Sequence, residues 1–183
     1  SGALLRLIFG IIFVTFTLNF PIIKLSFSTL GVFFIMLSLF QLKDCCRELK
    51  IAHRLSIPYF ALIIVSNTLS ILPEITKAVS IVFAVLLSIS MCLLFYYIFT
   101  GLDVLSRRYS VAETHPVRKY GIIYCVISAL CLLVFAIPAF VFVVFIVAVV
   151  YLIGAVRAMF DVRRILRDSG EGDNILNLRP KGY

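Results

Sequence analysis

Five polar residues inside apolar stretches of the chain have side chains that could recognise a ligand. Asn67 stands in the segment "SNTLS" with Ser66 and Ser70, and Ser88 and Ser90 follow in the next apolar stretch. An amide and several hydroxyls in such a setting need hydrogen-bond partners, because an unpaired polar group in a bilayer is costly. Two interpretations are open: the residues line a cavity for a small solute, or Asn67 makes a hydrogen bond between helices.

A second pattern places an aspartate three or four positions before an arginine. It occurs three times, as Asp44/Arg47, Asp103/Arg107 and Asp161/Arg164. At this spacing the two side chains share one face of a helix, and an ion pair there contributes roughly 0.2–0.5 kcal/mol. We therefore expect structural charge pairs at cytoplasmic helix ends. The functional alternative is a ring of charges around a central pathway.

Residues that bind metals or act as nucleophiles are scattered along the sequence. His53 and His115 have no second ligand one helical turn away, and the five cysteines form no C-x-x-C motif. The adjacent Cys45 and Cys46 are candidates for acylation or for packing against the membrane. The sequence contains no Walker loop, no G-x-S-x-G motif and no pair of intramembrane carboxylates. We expect no enzymatic activity, no metal and no cofactor.

The elements that must position these residues are predicted to be membrane helices. Of the 183 residues, 62% are hydrophobic and only 14% are charged, whereas a soluble domain is about half apolar and a quarter charged. The apolar segments are continuous rather than alternating, which favours helices over barrel strands. The net charge of +8 fits basic residues that flank membrane spans, and no basic motif with interleaved aromatics indicates nucleic acid.

Six apolar segments predict an all-α integral membrane protein with six transmembrane helices in a single domain over 3–183. Their limits are 3–20, 25–42, 57–73, 78–100, 121–138 and 139–157. Prolines in short turns, at Pro21, Pro73 and Pro138, pair these segments because proline ends one helix and can begin the next. The predicted helical hairpins are 3–42, 57–100 and 121–157. The predicted cytoplasmic parts are the amphipathic segments 43–56 and 101–120 and the tail 158–183.

The three hairpins share a spacing that indicates an internal repeat. Pro21 precedes Asp44 by 23 residues, and Pro138 precedes Asp161 by the same number. In the middle hairpin the spacing is 30 residues, which is longer by about two helical turns. We interpret this pattern as three parallel copies of one hairpin.

The basic residues predict the orientation of the chain. Of the 17 Lys and Arg residues, all except Lys24 and Lys77 fall on the side opposite the proline turns. Basic residues collect on the cytoplasmic side, so we expect both termini inside. The basic segments are expected to contact anionic headgroups of the lipid bilayer. We further expect a homo-oligomer or a membrane partner protein, and a location in the bacterial cytoplasmic (inner) membrane.

The first hairpin resembles the HdeD-like membrane proteins. "LLRLIFGIIFVTFTLNFP" followed by "LGVFFIMLSLFQL", within residues 4–42, is similar to that family's Gly-rich span, proline turn and Gly-initiated span. The resemblance implies three hairpins and a structural or stress-related module, since acid-stress protection is associated with some members; it brings no catalytic residues. The second hypothesis is a small-solute binding or transport subunit, similar in span number and length to those of energy-coupling vitamin transporters, with a polar cavity near Asn67.

Overall fold

The structure, a computed structural model, describes residues 2–19, 24–69, 77–109, 117–134 and 141–168. All regular secondary structure in these ranges is helical, which confirms the predicted all-α class. The helices are α1 (Gly2–Asn19), α2 (Lys24–Leu42), α3 (Arg47–Leu69), α4 (Lys77–Tyr109), α5 (Arg118–Val134) and α6 (Val141–Asp168). The predicted turns at Pro21, Pro73 and Pro138 lie outside the described residues.

Three of the helices are long and apolar enough to cross a membrane. These candidate spans are Arg47–Leu69, Ile81–Arg108 and Phe142–Asp168, and the shorter apolar helices are Gly2–Thr15 and Ser28–Leu42. The 33 residues of α4 extend about 50 Å at 1.5 Å per residue. The hydrocarbon core of a bilayer is about 30 Å thick, so α4 is long enough to cross it and to continue for several turns.

Three helices extend well beyond their predicted apolar limits. Helix α3 begins at Arg47 rather than at 57, α4 continues to Tyr109, and α6 continues to Asp168. The chain turns at 43–46, where the amide of Cys45 donates to the carbonyl of Leu42 at 3.0 Å. Much of the predicted segment 43–56 is therefore the start of α3. Hydropathy marks where a helix leaves an apolar medium, whereas backbone hydrogen bonding continues into polar sequence.

The helices pack as a closed ring in chain order. Each helix contacts the next one, and α6 returns to contact α1 as well as α4.

The most extensive contact joins α1 to α2, and it depends on Gly10 and Gly31. A Cβ added at Gly10 would lie 2.8 Å from the carbonyl oxygen of Gly31. Small residues at such crossings let two helix backbones approach closely.

The buried core lies toward the end of the bundle that carries most basic residues. On α4, buried side chains begin at Met91 and continue to Ser106, while no described side chain in 79–90 is buried.

Helix α6 exposes an apolar stripe along its length. The exposed fractions on this stripe are Phe142 79%, Ile146 61%, Val150 64% and Ile153 65%. Soluble monomers rarely expose large contiguous apolar patches.

Candidate functional site

The side-chain amide of Asn67 joins two helices. Its Nδ2 donates a hydrogen bond to Oγ1 of Thr29 at 3.2 Å, which links α3 to α2. This contact is the interhelical hydrogen bond that the sequence left open as one of two interpretations. Thr29 is not among the site residues predicted from the sequence. A signal was present, because Thr29 lies near the start of α2 and Asn67 near the end of α3, and two sequential antiparallel helices bring those positions to the same level.

The predicted polar residues do not share one face of the bundle. Ser66 and Asn67 are half-buried on α3, and Ser88 and Ser90 are half-buried on α4. Positions two apart on an α-helix differ by about 200° in direction, so Ser88 and Ser90 face different surroundings. Ser70 lies outside the described residues.

One of the three predicted Asp/Arg pairs forms an ion pair in the structure. Nε of Arg107 lies 2.9 Å from Oδ2 of Asp103. Asp44 lies in the turn that precedes α3, so the helical spacing assumed for its pairing with Arg47 does not apply, and these two residues form no ion pair in the described part of the chain.

The third predicted pair involves a different aspartate. Nε of Arg164 lies 3.8 Å from Oδ2 of Asp168, one helical turn later, and its predicted partner Asp161 is exposed on α6. Both members of the observed pair are largely in solvent, where ion pairs contribute little. The repeated Asp/Arg spacing therefore does not produce three equivalent charge pairs among the described residues.

The carboxylate of Asp103 has a second partner that the sequence did not indicate. Its side chain is only 7% exposed, and its Oδ1 accepts a hydrogen bond from the backbone N–H of Val117 at 3.0 Å. Val117 immediately precedes α5, where N–H groups lack partners within the helix. Asp103 thus connects the end of α4 to the start of α5. Side-chain spacing gave no signal for this contact, since the donor is a backbone group.

Aromatic side chains form a cluster between α4, α5 and α6. The rings of Phe95 and Tyr124 stack with their centroids 4.1 Å apart. The ring of Tyr151 lies 5.7 Å from that of Tyr124 and 6.3 Å from that of Tyr120. None of these rings is among the site residues predicted from the sequence. The signal for the cluster is the one-turn spacing of Tyr120 and Tyr124, which places both rings on the same face of α5.

A cavity of about 220 Å³ opens between the turn at 43–46 and the last turns of α4. Its lining residues are Cys45, Cys46, Arg47, Glu48, Val104, Leu105 and Arg108. The thiol of Cys46 donates a hydrogen bond to the carbonyl of Gly101, with Sγ and oxygen 3.7 Å apart. This contact holds the turn against α4, so the walls of the cavity come from the beginning of α3 and the end of α4, and Cys46 and Gly101 are 55 positions apart.

The two thiols at this cavity are poor nucleophiles. Burial, with smaller contributions from the neighbouring Cys46 and Asp44, raises the pKa of Cys45 to about 11. Burial also raises the pKa of Cys46. The thiolate is the form that attacks electrophiles and binds metals, so both cysteines are suited to packing. Over the described ranges no group of three His, Cys, Asp or Glu residues is placed to hold a metal ion.

Comparison with known proteins finds no relative of this chain. No family model, no curated protein and no solved structure matches the chain. The resemblance of residues 4–42 to the HdeD-like proteins therefore stays a prediction.

Proposed function

We propose that the chain is a non-enzymatic, six-span membrane protein that acts as a structural module through helix packing and partner contacts. The main support for the proposal is that buried polar side chains of the protein form hydrogen bonds within the bundle. Buried hydroxyls donate to carbonyls of their own helices at Thr15, Ser38, Ser56 and Ser106. These hydroxyls are satisfied within their own helices and need no ligand. Two other bonds join neighbouring helices, between Asn67 and Thr29 and between the N–H of Val117 and Asp103, as expected of a bundle that is held together by its own polar groups.

The apolar stripe on α6 supports a location in lipid. Helix α4 likewise exposes Ile81, Val82 and Ile89 to more than half of their possible extent. Contact of such faces with lipid acyl chains costs no free energy, whereas their contact with water is unfavourable. Helices α1, α2 and α5 have 18, 19 and 17 residues, which gives about 25–29 Å each. That length is close to the thickness of the hydrocarbon core, about 30 Å, so six spans are feasible.

The distribution of basic residues along the helices supports an orientation with both termini inside. Arg47, Lys50 and Arg54 stand in the first turns of α3, and Arg107 and Arg108 stand in the last turn of α4. Contacts join these helix ends, because Cys46 bonds to Gly101. Basic residues on one side of a bundle favour the cytoplasmic side. A stress-related role within the proposal rests on the resemblance of residues 4–42 alone.

Reporter fusions after residue 115, after residue 73 and at the C-terminus test the topology. We expect cytoplasmic signals from the first and third fusions and an external signal from the second. An external C-terminus would overturn the orientation and the three-hairpin repeat together. Alkaline carbonate extraction tests membrane insertion, and we expect the protein to stay in the membrane pellet.

A thermal-shift screen across small metabolites separates the structural proposal from solute binding. A ligand that binds only the folded protein stabilises it by RT ln(1 + L/Kd), where L is the free ligand concentration, so binding raises the melting temperature. We expect no metabolite to raise the melting temperature through binding near Asn67. A shift that disappears in Asn67→Ala, but persists in Thr68→Val one position away, would replace the structural proposal with the solute-binding alternative.

A further inference from the structure

We propose that the cavity between the turn at 43–46 and the end of α4 binds a phosphate group, carried by an anionic lipid headgroup or present as free phosphate. The inference rests on the proposed function in one respect, since that function places this end of the bundle at the cytoplasmic membrane surface. The cavity itself, its charges and its walls are features of the described structure.

Two guanidinium groups at the cavity carry the proposal. Arg47 comes from α3 and Arg108 from α4, so the fold brings together charges that are 61 positions apart in the sequence. Neither arginine takes part in the salt bridges between described residues. A guanidinium offers paired N–H donors that match two oxygens of a phosphate, and it does so better than an ammonium group.

The other walls of the cavity fit the same ligand. A water molecule occupies about 30 Å³ in the liquid, so about 220 Å³ has room for a phosphate group with some of its hydration. Val104 and Leu105 supply an apolar wall for the carbon atoms next to a lipid phosphate. Glu48 is the acidic residue of the lining. It lies in the first turn of α3, where the helix dipole stabilises its charge, and the lining retains a net positive charge.

An adjacent contact indicates the depth of the cavity relative to the bilayer. Nζ of Lys43 lies 4.0 Å from the centre of the Phe40 ring, at the point where α2 ends. A lysine at the end of an apolar helix is typical of the boundary between hydrocarbon and headgroups, because its stem packs along apolar groups while its charge reaches the interface. The cavity begins two residues later, at Cys45. It therefore lies at the level of lipid phosphates and is also open to the cytoplasm.

Native mass spectrometry of the full chain released from nanodiscs tests the site. The test variant is Arg47→Gln/Arg108→Gln. The matched control is Lys50→Gln/Arg54→Gln, which removes two charges from exposed positions of α3 outside the cavity. We expect the wild type and the control to retain phosphatidylglycerol in preference to phosphatidylcholine, because the choline cation of the latter neutralises its headgroup and is repelled by two guanidinium groups. The loss of two charge-assisted contacts should lower retention in the test variant by at least about tenfold.

A second arm separates the two sources of the phosphate. Inorganic phosphate is added to the protein in a zwitterionic detergent, and the melting temperature is followed. A rise in the wild type and the control that is absent in the test variant, with equal phosphatidylglycerol retention in all three proteins, assigns the site to free phosphate. A difference in both arms means that the site binds the phosphate group from either source. Loss of phosphatidylglycerol retention without any effect of inorganic phosphate assigns it to a lipid headgroup. Equal behaviour of all three proteins in both arms would overturn the inference.

A further variant covers the case in which the double substitution prevents folding. Val104→Trp fills the exposed mouth of the cavity without changing charge, and we expect it to reduce binding in whichever arm is positive. Unchanged binding in Val104→Trp would show that the phosphate group does not bind in this cavity. Release of the protein by alkaline carbonate would contradict the proposed function instead, and the detergent arm would still decide whether phosphate binds.

Discussion

The backbone nitrogen of Val117 lies 3.0 Å from Oδ1 of Asp103, so one buried carboxylate connects the last turns of α4 to the start of α5. The second oxygen of the same carboxylate contacts Arg107 at 2.9 Å. A side chain that accepts a hydrogen bond from the N-terminal end of another helix restricts where that helix can begin. This contact therefore helps to set where α5 lies beside α4.

Replacement of Asp103 separates its two contacts. We predict that Asp103→Ala lowers the free energy of unfolding by about 1–3 kcal/mol, because the buried N–H of Val117 loses its acceptor. Asp103→Asn keeps an oxygen for that bond and should cost less, since the side chain of Arg107 is 66% exposed and exposed ion pairs contribute little. Denaturant unfolding in micelles measures both. The exposed Asp161→Ala is the control, and a loss equal to that of Asp103→Ala would contradict the prediction.

The hydrogen bond between Asn67 and Thr29 can be measured as a coupling. We predict that a double-mutant cycle with Asn67→Ala and Thr29→Val gives an interaction free energy of about 0.6 kcal/mol, the average for such bonds in membranes. Thr68 is the matched control, because its hydroxyl bonds to the carbonyl of Ile64 in its own helix. A cycle between Asn67→Ala and Thr68→Val should show no coupling. A coupling near zero for Thr29 would show that the contact contributes nothing.

The crossing of α1 and α2 should be sensitive to added volume. A Cβ at Gly10 would lie 2.8 Å from the backbone oxygen of Gly31, and a backbone atom cannot move aside cheaply. We predict that Gly10→Ala lowers the free energy of unfolding by about 1–3 kcal/mol. At Gly2 the nearest atom to an added Cβ is the end of the Arg6 side chain, 3.7 Å away. Gly2→Ala should therefore be tolerated, and equal thermal stability of the two variants would contradict the packing described.

The raised pKa of Cys45 predicts slow alkylation with a distinct pH dependence. The pKa is about 11 instead of 9.0, so near neutral pH the thiolate fraction should be about 100-fold lower than for an ordinary thiol. We predict a correspondingly slower reaction with iodoacetamide than at Arg167→Cys, with each cysteine as the single one in the chain. The rate at position 167 divided by the rate at Cys45 should decrease as the pH approaches 11, because the thiolate of Cys45 then accumulates. A ratio independent of pH would mean that limited access alone slows Cys45.

The agreement between the predicted and observed limits of the helices differs along the chain. The limits 3–20 and 25–42 agree with α1 and α2 to within a residue, because these helices consist of apolar sequence over almost their whole length. The limits of α3, α4 and α6 were too short at the basic end. There the sequence becomes polar while the helix continues, and hydropathy alone cannot detect that continuation.

The candidate site shows a similar division between local and distant information. The ion pair of Asp103 with Arg107 followed from spacing, because both residues belong to one helix. The cavity between Arg47 and Arg108 did not, because its two walls are joined only by the packing of α3 on α4. Consecutive antiparallel helices bring the start of α3 level with the end of α4, but spacing along the chain does not give the crossing that opens a cavity between them.

By itself, the sequence determined the helical class, the approximate positions of the apolar helices and the concentration of basic residues at one end, because composition and hydropathy are local properties. The tertiary structure decided which partner each polar group has. Asn67 bonds to Thr29, Asp103 to Val117 and Cys46 to Gly101. These pairs depend on the crossing angles and relative heights of neighbouring helices. Those quantities arise from the packing of many side chains at once, so no single segment of the sequence specifies them.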